Sequence, residues 1–239
     1  MAETAQRLDE VKLLNCLTPE ERRDLERRCR WRRYSADEQI LDKDSDDRDV
    51  YFVIDGSVQI VNFSMSGREI ALAKVAAGGF FGELSAIDGA PRSASVVAVG
   101  PSLLASLAPK LFMNLVTDHA DIASHVLQRL AGIVRSCDER IMDLSTLGAV
   151  QRVYVELLRL ADENPDNTSN AGVIKKMPTH KTIASRASTT RETVARSMSQ
   201  LVSGGIVERR GTAIHIVERE KLEKMAGALA IEWDGTLSR

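Results

Sequence analysis

Aromatic residues make up only 4% of this 239-residue chain, and it holds just three cysteines and six prolines. Cys16, Cys29 and Cys137 show neither Cys-x-x-Cys spacing nor a nearby histidine pair, which excludes a zinc centre and a disulfide framework. Each reads as a small buried or half-buried side chain. The chain has no run approaching the roughly 18 apolar residues that a membrane-spanning helix needs. Its first ten residues are polar and lack the apolar stretch of a signal peptide, so the cytoplasm is the expected location and no membrane partner is expected. The histidines are His119, His125, His180 and His215, none of them between residues 32 and 108. A metal-dependent barrel enzyme would need a His/Glu cluster there. No catalytic residue, no metal site and no enzymatic activity are therefore expected. Internal repeats and low-complexity segments are absent as well.

The composition that remains, 44% hydrophobic and 28% charged, is that of a soluble globular protein, and the length suits two domains. The net charge of −2 carries no message by itself, but its distribution does. Residues 151–239 hold 14 basic against 11 acidic side chains, a net of +3, which leaves −5 for residues 1–150. Between residues 172 and 212 eight basic residues face two acidic ones. An acidic front and a basic back fit a sensor joined to a nucleic-acid module.

Thr18-Pro19-Glu20-Glu21 predicts a helix start: an N-cap, a proline at the first helical position and acids in the first turn. From Arg32 to Ala108 short β-branched and aromatic segments alternate with Gly, Asp and Ser turns, which predicts a small antiparallel roll or jelly-roll. Asp55-Gly56 between Val50–Ile54 and Ser57–Val61 predicts a hairpin. From about Lys110 to Asp143 the signal is one helix, with Val126, Leu130, Ile133, Cys137, Ile141 and Leu144 forming an apolar seam that suits a parallel two-helix dimer. Ser145 to Gly148 is an expected hinge, a further amphipathic helix covers Val150 to Ala161, and residues 164–170 read as an exposed loop.

The stretch from Gly78 to Val96 carries the most chemistry. Three glycines in five positions precede Glu83 and let the backbone approach a ligand closely. Glu83 is an acceptor-only group suited to sugar hydroxyls, and Arg92 presents a planar donor fork that matches a phosphate. Ser93 and nearby N–H groups add donors. Towards the C-terminus, residues 179–187 and 191–201 read as two helices joined by a tight turn at Ser188-Thr189-Thr190. Their inner faces are apolar, and Arg191, Glu192 and Arg196 are left outside, as on a recognition helix. Arginine can bond guanine O6 and N7 together, and glutamate can accept from cytosine N4. Ile206 to Val217 alternates around Arg210-Gly211-Thr212 as a β-hairpin wing, and a last helix follows to about Ala230.

Gly-Glu-Leu at 82–84 followed by Arg-Ser-Ala at 92–94 resembles the phosphate-binding cassette of cyclic-nucleotide-binding domains. Arg-Glu-Thr-Val-x-Arg at 191–196 resembles the recognition helix of the CRP/FNR family of bacterial transcription regulators. Together the resemblance spans roughly residues 10–225. It implies an α+β chain: a cyclic-nucleotide-binding antiparallel β-roll (1–109), a long dimerisation helix (110–145) and a winged helix-turn-helix DNA-binding domain (146–239). It also implies a cAMP or cGMP ligand held by Phe81, Gly82, Glu83, Leu84, Ser85, Arg92 and Ser93, with Glu83 on the ribose 2′-hydroxyl and Arg92 on the cyclic phosphate. No other cofactor is implied. In cAMP-binding relatives a Thr-Ser pair on the long helix reads adenine; the matching positions here are Cys137 and Asp138, or Ser136 and Cys137 if the register slips by one, and neither pair is Thr-Ser, so cGMP is an expected alternative to cAMP. On the DNA side the resemblance gives Arg191 and Arg196 guanines and Glu192 the complementary cytosine. Thr190 and Thr193 take phosphates, and His180 makes a backbone or base contact. The implied partners are a TGTGA-like palindrome in double-stranded DNA, a second copy of the chain and RNA polymerase. A family member whose roll is a ligand-independent scaffold, or senses another small molecule, is the alternative. One departure is Ser188, which stands where the turn commonly has glycine and would cost on the order of 1 kcal/mol at positive φ.

Overall fold

A computed structural model describes residues 7–65, 67, 69–163 and 172–227. Two compact units divide the chain, Met1–Ser136 and Cys137–Arg239. Helix α1, Pro19–Arg28, begins as its sequence predicts. Thr18 Oγ1 accepts from the Glu21 N–H at 3.3 Å while the Glu21 carboxylate takes the Thr18 N–H at 2.8 Å, a closed capping box with Pro19 at the first helical position.

Eight strands among the described residues then build two four-stranded antiparallel sheets. They are β1 (Arg30–Tyr34), β2 (Gln39–Leu41), β3 (Val50–Asp55), β4 (Ser57–Phe63), β5 (Glu69–Ala76), β6 (Phe80–Phe81), β7 (Ser95–Ala98) and β8 (Ser102–Leu107). The strand orders are β1-β8-β3-β6 and β2-β7-β4-β5. Strand alternation sorts β3 between two cores. Tyr51 and Val53 face Val58, Val96 and Phe81 between the sheets. Val50, Phe52 and Ile54 face outward and are covered by helices. The expected hairpin at Asp55-Gly56 does not form: β3 and β4 lie in different sheets. Gly56, at φ +80°, turns a corner instead, and it does so against Pro101 and Ser102, where a Cβ would come within 2.5 Å of the Pro101 carbonyl. Only glycine fits there, and what the Asp-Gly pair marks is a sheet switch.

The helical stretch after β8 is two helices, α3 (Pro109–Asp118) and α4 (Ala120–Thr146), broken at His119. An unbroken helix would hold Phe112 and Ile122 about 15 Å apart along its axis. The break brings both, fully buried, into one core with Leu8, Leu14 and Leu107. The N-terminal apolar residues of that core, Leu8 to Leu17, were not foreseen from the polar opening of the chain. The seam on α4 changes too. Val126 belongs to this core, at 3% exposure, so it cannot face a partner. The free stripe runs through Leu127, Val134, Cys137, Ile141 and Leu144, all exposed.

In the second unit α4 is followed by α5 (Ala149–Asp162), β9 (Val173–Ile174), α6 (His180–Arg186), α7 (Arg191–Ser203), β10 (Val207–Arg210), β11 (Ala213–Ile216) and α8 (Arg219–Ala226). Leu157, Ile183, Val194, Leu201, Ile216 and Leu222 fill its core. The predicted wing is the β10–β11 pair, and β9 adds a third strand beside β11 that the sequence did not reveal. The expected hinge at 145–148 is tied down. The Leu147 N–H bonds the Asp143 carbonyl, Arg152 Nη1 donates to the Leu147 carbonyl at 2.8 Å, and the Gly148 N–H bonds Gln151 Oε1. The predicted 164–170 loop lies outside the described residues, as does the end of the predicted last helix.

Candidate ligand cassette and nucleic-acid interface

The cassette begins where β6 ends. Gly82 adopts φ +87° and serves as the N-cap of α2 (Glu83–Asp88). A Cβ on Gly82 would lie 2.8 Å from both Arg92 Nη1 and the Asp49 carbonyl, so its lack of a side chain makes room for Arg92. Arg92 is 2% exposed and Glu83 3%. Burial of a charge is costly unless it is bonded, and both are bonded. Arg92 Nη1 donates to the Gly82 carbonyl at 2.8 Å, and Nη2 to Asp47 Oδ1 at 3.0 Å and to the Asp49 carbonyl. The Tyr51 ring, stacked on Phe81, lies beneath the guanidinium at 5.8 Å. Arg92 Nε is buried with no acceptor. Glu83 Oε1 accepts from Arg129 Nε of α4 at 2.9 Å, and Arg129 sits over the Phe80 ring at 4.7 Å.

The other expected ligand residues divide by exposure. Phe81 and Ser85 are buried, Ser85 Oγ bonding the Pro91 carbonyl at 3.4 Å. Leu84 and Ser93 are exposed at the surface of the cassette. Cys137 and Asp138 stand exposed on α4 in the second unit's portion of the chain. Sequence reasoning missed Asp47 and Arg129, the counter-charges of the central pair. Asp47 lies in an acidic turn that reads as a solvated loop, and nothing in the chain order brings Arg129 to Glu83.

Burial alone would raise the Asp47 carboxyl. Bonds from the Tyr51 hydroxyl, the Asp49 N–H and Arg92 outweigh it and hold Asp47 below its usual range, so it stays an anion.

On the second unit, α6 is capped by Thr179, whose hydroxyl accepts the Thr182 N–H, and α7 by Thr190, which accepts the Thr193 N–H at 3.2 Å. Arg191, Glu192 and Arg196 are exposed on α7, while Val194, Ser197 and Met198 face inward. A bond to its own backbone N–H and the Thr190 hydroxyl hold the Glu192 carboxyl below the usual range, which keeps it an acceptor. Ala195, Ser199 and Ser203 continue the Glu192/Arg196 face along α7. They border a recess of about 780 Å³ together with His180 and, from the wing, Arg209 and Thr212. His180 is thus brought beside the recognition face, and Arg209 and Thr212 are neighbours of it that the sequence reading left out.

The turn between α6 and α7 meets the strain expected of it. Ser188 sits at φ +50°. Its hydroxyl accepts from Arg140 Nη2 at 2.8 Å, its carbonyl from Arg152 Nη2 at 3.1 Å, and the Ala187 carbonyl takes Arg152 Nε at 3.0 Å. Serine's hydroxyl thereby gains a charge-assisted bond that glycine could not make, which offsets the backbone cost.

A two-sheet roll with a buried Glu/Arg cassette and, later in the chain, a winged helix-turn-helix with an Arg/Glu/Arg face define a DNA-binding regulator that carries a ligand-sensing domain. Comparison with known proteins agrees. Residues 31–119 match the cyclic nucleotide-binding domain, and residues 151–225 match the Crp-like helix-turn-helix domain. A cyclic AMP receptor protein of Thermus thermophilus is 31% identical over 76% of this chain and 81% of its own length. A cAMP-activated global transcriptional regulator of Haemophilus influenzae is 27% identical over 78% of this chain and 83% of its own. The crystal structure of the Thermus thermophilus catabolite activator protein superposes with a TM-score of 0.50, at 29% identity, over 91% of this chain and 99% of that one. The chain belongs to the CRP/FNR family of transcription regulators. Among its described residues no helix is long and apolar enough to cross a membrane.

Proposed function

We propose that the chain is a cyclic-nucleotide-responsive transcription regulator, not an enzyme, acting in the cytoplasm as a homodimer on a TGTGA-like palindrome. The observation that carries the ligand reading is the Arg92 guanidinium. It is more than nine-tenths buried, braced on two sides, and its Nε lacks an acceptor. A buried donor without an acceptor costs free energy that an incoming phosphate oxygen would recover.

In this reading Arg92 takes the phosphate of cAMP or cGMP, and Glu83 exchanges Arg129 for the ribose 2′-hydroxyl. Phe81, Gly82, Leu84, Ser85 and Ser93 complete the cradle, and the family resemblance makes Cys137 and Asp138 the candidates for reading the base. The Leu127–Leu144 stripe on α4 supplies the dimer contact. Ligand binding shifts the population of the dimer towards a state in which both α7 helices can enter successive major grooves, about 34 Å apart. Arg191, Glu192 and Arg196 then read bases, Thr190 and Thr193 hold phosphates, and His180 flanks them. Bound to DNA, the dimer would meet RNA polymerase.

One observation favours the second reading, a roll that holds no nucleotide: Glu83 and Arg92 already have protein counter-charges. Calorimetric titration with cAMP and with cGMP separates the two. It is followed by fluorescence anisotropy on a palindromic duplex with each nucleotide present. Binding of either nucleotide with a rise in DNA affinity supports the sensor; operator binding indifferent to both supports the scaffold.

A further inference from the structure

Resting on the reading of Arg92 as the phosphate ligand, we infer that Asp47 is a built-in anion that competes with the phosphate for Arg92 and so sets the affinity of the roll for nucleotides. Asp47 Oδ1 lies 3.0 Å from Arg92 Nη2. Its position is fixed from three directions. The Tyr51 hydroxyl donates to Oδ2 at 2.7 Å, and the Asp49 N–H to Oδ1 at 2.8 Å. The turn that carries it is laced to the main chain of Arg92, with the Asp44 N–H on the Arg92 carbonyl and the Arg92 N–H on the Ser45 carbonyl. The carboxylate is therefore prepared to receive the guanidinium.

The two partners differ in freedom. The Arg92 side chain is 2% exposed and the Asp47 side chain 35%. Arg92 is also anchored by two backbone carbonyls, whereas the one-third exposed Asp47 can exchange its bond to Arg92 for water and keep those from Tyr51 and Asp49. When an anion approaches Arg92, the group that yields is Asp47. Binding is an exchange of one anion for another, and the free energy of the Asp47 contacts is subtracted from that of the ligand. While Asp47 is in place, a small free anion gains little, because the guanidinium is already neutralised. Only a ligand that brings further contacts, such as a sugar on Glu83, can displace it.

The test compares wild type with Asp47→Asn, which keeps the shape and an acceptor oxygen but removes the charge. A second variant, Tyr51→Phe, removes only the hydroxyl that braces Asp47 and keeps the ring on Phe81. Each protein is titrated calorimetrically with cAMP and cGMP. Each is also melted in a series of inorganic phosphate concentrations at constant ionic strength. Asp47→Asn is expected to bind nucleotide roughly fivefold to tenfold more tightly, the scale of one partly exposed charge-assisted bond. Its melting temperature should rise with phosphate while that of wild type stays flat. Tyr51→Phe should move both readouts in the same direction by less, and it carries the test alone if Asp47→Asn does not fold. If no protein binds a nucleotide but the variants gain phosphate-dependent stability, the ligand reading fails and the competing role of Asp47 stands. Unchanged or weaker nucleotide binding, with no response to phosphate in either variant, overturns the inference.

Discussion

Replacing Gly82 by alanine should damage the cassette far more than replacing Gly89, although both glycines are left-handed. Gly82 has φ +87° and Gly89 φ +71°, so alanine at either position bears a backbone cost of about 1–2 kcal/mol. Beyond that the two sites part. At Gly89 an added Cβ meets nothing within 4 Å. At Gly82 it would lie 2.8 Å from Arg92 Nη1 and 2.8 Å from the Asp49 carbonyl, closer than real Cβ atoms come. The Asp49 carbonyl is main chain, one residue before β3, so both Arg92 and the backbone at Gly82 must shift. The shift costs the 2.8 Å bond from Nη1 to the Gly82 carbonyl, and a bond from a charged group is worth about 1.5–3 kcal/mol. The total for Gly82→Ala is roughly 2.5–5 kcal/mol, a large share of the stability of an ordinary domain. Urea unfolding followed by circular dichroism measures this directly. Calorimetric titration with cyclic nucleotide measures the second consequence: a displaced Arg92 should weaken binding by roughly tenfold or more, while Gly89→Ala stays close to wild type. Equal stability losses in the two variants would refute the reasoning, because they would mean that Arg92 does not depend on the space Gly82 leaves.

If the exposed α4 stripe is the contact of the proposed dimer, mild oxidation should cross-link two copies through Cys137, and Cys137→Ser should abolish the cross-linked band on a non-reducing gel. A band that persists in the Ser variant would place the partner contact elsewhere. Burial pushes the Glu156 carboxyl up to about 7 despite the Arg186 guanidinium beside it. A group raised in the folded state loses stability as pH rises from its unfolded value near 4.5 through its folded value. Melting temperature should therefore fall between pH 5 and pH 8 in wild type, and Glu156→Gln should flatten that slope; Arg186 keeps Glu163 as its partner in the variant. An identical slope in the two proteins counts against it. Arg191→Ala should cost about 1–3 kcal/mol of operator binding and relax selection at one base pair of each half-site, read by anisotropy on duplexes with single substitutions. Unaltered selectivity would remove Arg191 from the base-reading set.

Local chemistry was enough for much of this protein. The helix start at Thr18, the cap at Thr179, the wing around Gly211, the inner face of α7 and the order Gly-Glu-Leu then Arg-Ser-Ala all depend on residues a few positions apart, and such spacings are written in the chain. What lay beyond the sequence depends on residues far apart in it. Asp55-Gly56 carries the local signature of a hairpin, yet β3 pairs with β8 and β4 with β7, strands far along the chain, and the glycine became a corner between sheets. The apolar period continues from α3 into α4, but the helix breaks at His119 because Phe112 and Ile122 share one core. The cassette divides in the same way. Its two charges could be named from their order, but Asp47 stands 45 residues from Arg92, and Arg129 stands 46 from Glu83. A buried charge takes its counter-charge from whatever the fold brings within hydrogen-bond reach, so those partners, and with them the competition for Arg92, were decided only by the tertiary structure.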